Sequence, residues 1–164
     1  MRWESVASTL GYSVYALWNN GRKLVTLVFN PSSSAARIEY EGERRVVLIR
    51  REGFRKNKTV LRNEYGIRIG HVGSENSEEF IELNNERFFY RIDNSNTPSV
   101  KIYKDPKDQP LAICDWDVKR KDVLGAFRNN HVDENTEYSL LMTLCWYLLQ
   151  PFQKPNLEKT MELV

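Results

Sequence analysis

Between Arg44 and Arg62 the chain gathers eight cationic side chains, Arg44, Arg45, Arg50, Arg51, Arg55, Lys56, Lys58 and Arg62, against one carboxylate, Glu52. The stretch carries +7; since the whole 164-residue chain carries only +2, the remainder carries −5. Guanidinium and ammonium groups at that density offer charge-assisted hydrogen bonds to phosphate oxygens, and a loop that bears them suits an anionic headgroup. Arg55-Lys56-Asn57-Lys58 falls at an expected hairpin loop, so all eight cations are candidates for anion or lipid binding. The same charges would also serve as a solvated strand face that keeps a sheet edge from pairing. Phe54, Tyr65 and Tyr40 could add stacking surfaces for a nucleic acid. No RNP signature, KH loop or recognition helix accompanies them, which ranks that partner below lipid.

Catalytic chemistry has less to draw on. Asp115-Trp116-Asp117 would put two carboxylates on one face of a strand and Trp116 on the other. With His131 or Asp133 they could act as acid and base or hold a metal. Lys119, Arg120 and Lys121 follow closely, and ordinary ion pairing with them accounts for the carboxylates more simply. The only histidines are His71 and His131, too few for a histidine metal site or triad, and His71 reads as a wall residue. Cys114 and Cys145 lie in apolar surroundings without zinc-like or CxxC spacing, so two reduced, buried thiols of a cytoplasmic protein are expected. The expectation is a non-enzyme with no catalytic residues, no metal and no cofactor.

The elements that must position the basic stretch are short strands. Ser13–Asn19 and Lys23–Phe29 flank Asn20-Gly21, the strongest short hairpin signal, and Asn30–Ser34 is a loop. Pairs Arg37–Glu41 with Arg45–Arg50, Thr59–Asn63 with Ile67–Val72, and Glu79–Leu83 with Arg87–Ile92 follow, each around a turn. Ser99–Lys104, Leu111–Trp116, a strand within Val118–Phe127 and a tail strand at Leu157–Val164 complete ten to twelve. Short turns between them predict an antiparallel sandwich or barrel. Then comes Tyr138–Gln150, with no charge along its length. Its thirteen residues span about 20 Å as a helix, short of the roughly 20 residues a membrane span needs. Its polar members Ser139, Thr143 and Gln150 fall on one stripe beside Trp146 and Tyr147, and each needs a hydrogen-bond partner if buried. Asp133–Glu137 offers capping groups, and Pro151 is expected to stop the helix. A helix apolar all round must be enclosed, and a barrel of so many strands needs a plug, so one arrangement answers both. It also fills the lumen that a small-ligand barrel would need. The first residues show no apolar core of a secretory signal.

The turn-Gly-x-x-Ile-Gly run Asn63-Glu64-Tyr65-Gly66-Ile67-Arg68-Ile69-Gly70, the strand Leu111-Ala112-Ile113-Cys114-Asp115-Trp116 and the helix Tyr138–Gln150 resemble the tubby C-terminal-like superfamily, which includes the LURP-one-related proteins and the phospholipid scramblases. The resemblance spans most of the chain. It implies one domain over 1–164, mainly β, a closed antiparallel barrel of about twelve strands around a central hydrophobic helix at about 136–150. It also implies a binding or scaffolding module, since tubby domains bind phosphoinositides through basic residues. The chain departs from the scramblases in having no apolar tail after the helix, no cysteine-rich run and no acidic calcium loop.

The expected function is therefore a non-enzymatic module, cytoplasmic or peripheral at a membrane, that binds anionic phospholipid, phosphoinositide or another polyanion through the basic hairpin. The alternative is a structural or protein-interaction domain without a small ligand.

Overall fold

Alternating apolar runs separated by Asn- and Gly-bearing turns fold into twelve strands and one helix in the computed structural model, which describes residues 1–117, 122–127 and 136–153. The strands are β1 (Arg2–Ser8), β2 (Ser13–Asn19), β3 (Arg22–Asn30), β4 (Ala35–Tyr40), β5 (Val46–Glu52) and β6 (Lys58–Asn63), then β7 (Arg68–Glu75), β8 (Glu78–Leu83), β9 (Glu86–Asp93), β10 (Ser99–Tyr103), β11 (Ala112–Asp117) and β12 (Asp122–Phe127). The helix is α1 (Thr136–Gln153). The tight turns use the residues their backbones demand. Asn20-Gly21, Asn76-Ser77 and Asn84-Asn85 each hold two successive positive φ angles, the two-residue hairpin turn that matches strand twist.

All the strands form one antiparallel sheet in which each pairs with its neighbour in sequence. One further register pair, Arg2↔Leu124, brings β12 back to β1. The face lined by Leu17, Val25, Leu27, Ile38, Ile49, Leu61, Ile81, Leu83, Val100 and Ile102 is buried. What buries it is α1. From Ser139 to Leu149 every residue is buried except Leu148, which is half-buried, so this stretch of the helix has no exposed face. Trp146 meets Trp3 of β1, Tyr15 of β2 and Phe29 of β3. Met142 meets Cys114 of β11 at 3.6 Å. Strands at both ends of the sequence thus touch one helix, and the sheet curls around it.

The polar stripe of the helix finds partners. Thr143 Oγ1 donates to the Ser139 carbonyl at 2.8 Å, Gln150 Nε2 to the Trp146 carbonyl at 3.3 Å, and the Tyr147 hydroxyl to the Ser34 carbonyl at 2.7 Å. Cys114 and Cys145 are buried and unbridged, and burial beside Cys145 pushes the Cys114 thiol well up.

Three differences from the sequence reading have physical causes. The helix does not stop at Pro151 but runs to Gln153, because proline there removes only one bond to the preceding turn, at the frayed end. β1 was not expected: of its seven residues only Trp3 is buried, which leaves no alternation to read. Strand bounds shift by one to three residues, as with β7, which begins at Arg68 and continues to Glu75. The expected tail strand Leu157–Val164 and the capping residues Asp133–Asn135 lie outside the described residues.

Close strand packing makes one glycine obligatory. A Cβ on Gly70 would collide with the Glu82 carbonyl oxygen across the β7–β8 ladder and sit 3.0 Å from Leu83 Cδ2. Backbone cannot retreat as a flexible side chain would. Gly70→Ala should therefore cost about 1–3 kcal/mol, the range for overpacking, read as a lower urea midpoint at unchanged slope.

Candidate functional site

The basic stretch is built on the β5–β6 hairpin, and strand geometry divides it. β5 is seven residues long, roughly 20 Å at the usual strand rise. Arg44 and Arg45 sit in the turn before it, at one end of the sheet, while Arg55, Lys56 and Lys58 sit in and beside the turn after it, at the other. Arg50 is exposed in between. Arg51 has the parity of buried Val47 and Ile49 but is exposed at the sheet's end, where its charge acts on the Tyr147 phenol. Burial raises the Tyr147 pKa, and Arg51 pulls the other way. Arg62 is already committed. Its Nε and terminal nitrogen hold both Glu52 oxygens at 2.8 and 3.0 Å, and it donates to the Gly66 carbonyl at 2.8 Å. That bond holds the Glu52 carboxyl below its usual range. Of the eight predicted cations, the structure brings together Arg55, Lys56 and Lys58 at one tip.

The tip is rigid. Gly53 takes φ 91° and Lys56 φ 49°, the Lys56 amide donates to the Gly53 carbonyl at 3.0 Å, and Arg51 Nε donates to the Lys56 carbonyl at 2.7 Å. Only glycine takes the Gly53 φ without strain. Phe54 is wholly exposed at the apex, and Arg55, Lys56 and Lys58 make no ion pair among the described residues.

Beside the tip, on the outer face of β6 and β7, lies a cleft of about 340 Å³ lined by Asn57, Lys58, Val60, Arg68, His71, Val72 and Gly73. Arg68 and His71 were missed by the sequence reading. The β6–β7 register would have found them: Val60 pairs with His71 and, past a bulge, Arg62 with Arg68, so both join Lys58 on one face. Phe80 closes one side, seated where a Cβ on Gly73 would come within 2.6 Å of its ring, with the Arg87 guanidinium 4.0 Å above it and His71 edge-on at 5.6 Å. Desolvation and Arg68 lower the His71 pKa, opposed by Glu82, whose carboxylate is 3.8 Å from Nδ1. On balance these groups favour the neutral imidazole, and an anion seated between Lys58 and Arg68 would favour its protonation.

Asp115 is exposed on β11, while Lys119, Arg120, Lys121, His131 and Asp133 lie outside the described residues. Among the described residues no group of three His, Cys, Asp or Glu side chains is placed to hold a metal, and no helix is long and apolar enough to cross a membrane. Comparison with protein-family models, with curated proteins and with solved structures finds no match to this chain.

Proposed function

We propose that this chain is a non-enzymatic binding module of the tubby-like kind, a closed barrel around its helix, that binds anionic phospholipid peripherally through the β5–β6 tip. The observation that carries the reading is Phe54, wholly exposed at the apex of a pinned turn and flanked by Arg55, Lys56 and Lys58, which make no ion pair among the described residues. An aromatic side chain has no folding reason to stand in water at such a place. Beside unpaired cations it has the composition of an interfacial anchor, apolar surface for the headgroup boundary plus positive charge for the lipid phosphates. The antiparallel neighbour order and the Arg2↔Leu124 pair support the closed barrel.

The test is sedimentation with vesicles of phosphatidylcholine, with and without phosphatidylserine or a phosphoinositide. Each basic residue near an anionic surface is worth about 1 kcal/mol, so Arg55→Glu, Lys56→Glu and Lys58→Glu together should lower partitioning at least roughly a hundredfold. Wild-type protein that ignores anionic vesicles, or a triple variant that binds as well, overturns the reading. A protein-interaction module is the second reading, and Tyr65 and Ile67, exposed at the opposite end of the sheet, favour it.

A further inference from the structure

Resting on that reading, we infer that the rim formed by the β1–β2, β3–β4 and β5–β6 connections is a membrane-insertion edge, with Leu10 and Phe54 entering an anionic bilayer together and the strands standing end-on to it. In a sheet whose strands pair in sequence order, successive hairpin turns alternate between the two ends. These three connections therefore share one end. Their residues are Thr9-Leu10-Gly11-Tyr12, Pro31-Ser32-Ser33-Ser34 and Gly53-Phe54-Arg55-Lys56-Asn57, two cations and no carboxylate. Leu10 and Phe54 have relative exposures of 108% and 102%, so neither side chain touches the fold that carries it.

Each connection is held by its own hydrogen bonds. The Thr9 amide donates to the Tyr12 carbonyl at 2.9 Å, and Asn30 Oδ1 accepts from the Ser32 and Ser33 amides at 3.0 and 3.3 Å. With the β5–β6 turn pinned as well, the apolar side chains are presented without a loop that must order on binding. The β1–β2 and β5–β6 tips are four strand spacings apart, roughly 19 Å along the wall, a distance over which a flat surface meets both at once. Leu10 also argues against a nucleic acid, because an aliphatic side chain has no face on which a base can stack.

The rest of the molecule fixes the orientation. At the opposite end the turns are of mixed charge, Glu41, Glu43, Asp105 and Asp108 alternating with Arg44, Arg45, Lys104 and Lys107, and the exposed Tyr65 and Ile67 stand beside Glu64, a carboxylate that an anionic surface would repel. On the same end but beyond β6, the chain places Glu75 and Glu78 around the β7–β8 turn and Asp93 before the β9–β10 connection. The carboxylate-free arc is the β1–β6 half, and the molecule would lean on that half.

Single cysteines at positions 10, 54 and 65, each carrying a polarity-sensitive fluorophore, test this on the full chain. Cys114 and Cys145 are fully buried, so labelling is confined to the introduced thiols. With vesicles containing phosphatidylserine, the labels at Leu10→Cys and Phe54→Cys should shift to the blue and the label at Tyr65→Cys should not, while phosphatidylcholine alone shifts none. Leu10→Glu should reduce sedimentation at least tenfold with an unchanged melting temperature. If the protein sediments with anionic vesicles but the label at 10 stays unshifted, or the label at 65 shifts, the insertion edge is wrong and lipid binding stands. If nothing sediments, both fall.

Discussion

Leu144→Asp should leave a chain that does not fold. Leu144 is fully buried in the middle of α1, with Leu140, Leu141, Met142 and Cys145 around it on the helix, all buried. The substitution removes a leucine side chain from a packed core, about 2–5 kcal/mol by itself. It then puts a carboxylate where no cation of the helix can reach it, so the group must stay protonated or bring water in. The two costs together are about 5 kcal/mol or more, comparable with the whole stability of an ordinary domain. Circular dichroism should show no cooperative melt, and the soluble yield should fall. A variant that melts like the wild type would mean that α1 is not the axis of the fold. Glutamate for Leu10 is the matched control, since that side chain lies in solvent.

Trp146→Ala should be the costliest truncation that still leaves a folded protein. The indole is 1% exposed and lies between three rings, with centroids 5.8 Å from Trp3, 4.7 Å from Tyr15 and 5.4 Å from Phe29, the last edge-on at 82°. Those rings stand on β1, β2 and β3, so the cavity left by alanine opens between the helix and three strands at once. The loss should be about 3–5 kcal/mol, or about 10 °C in Tm for a chain of this size. Because Trp3 would lose the same contact, Trp3→Ala and Trp146→Ala should cost less together than their sum. Additive losses, or a Tm within a degree or two of wild type, would show that the rings do not pack as described.

Much of the fold was legible because its signals are local. Asn20-Gly21 and Asn84-Asn85 announce their turns, and an uncharged thirteen-residue run can only be enclosed. β1 was not legible: Arg2–Ser8 buries Trp3 alone, and its place beside β2 is set by pairing rather than by pattern. The site was legible in part. Charge counting found the Arg44–Arg62 stretch, but counting is blind to hairpin ends and to parity. It could not see that Arg45 and Arg55 stand a strand length apart, that Arg51 shares the parity of the buried residues, or that Glu52 occupies Arg62. Arg68 and His71 enter the cleft only through the β6–β7 register and its bulge. Nothing in the sequence singles out Leu10, and only the fold shows that nothing covers it.

The contact between Trp3 and Trp146 sets a condition on how the protein is made. Translation delivers β1 well before α1, which follows all twelve strands among the described residues, so the inner faces of the wall leave the ribosome with nothing to close on. At typical synthesis rates Trp3 waits roughly ten seconds for its partner. Through that interval Leu17, Val25, Leu27, Ile38 and Ile49 are apolar surface on an unfinished sheet, the kind of species chaperones retain. The nascent chain therefore cannot mature strand by strand. It completes in one late step, when the uncharged segment arrives and the strands already made condense on it.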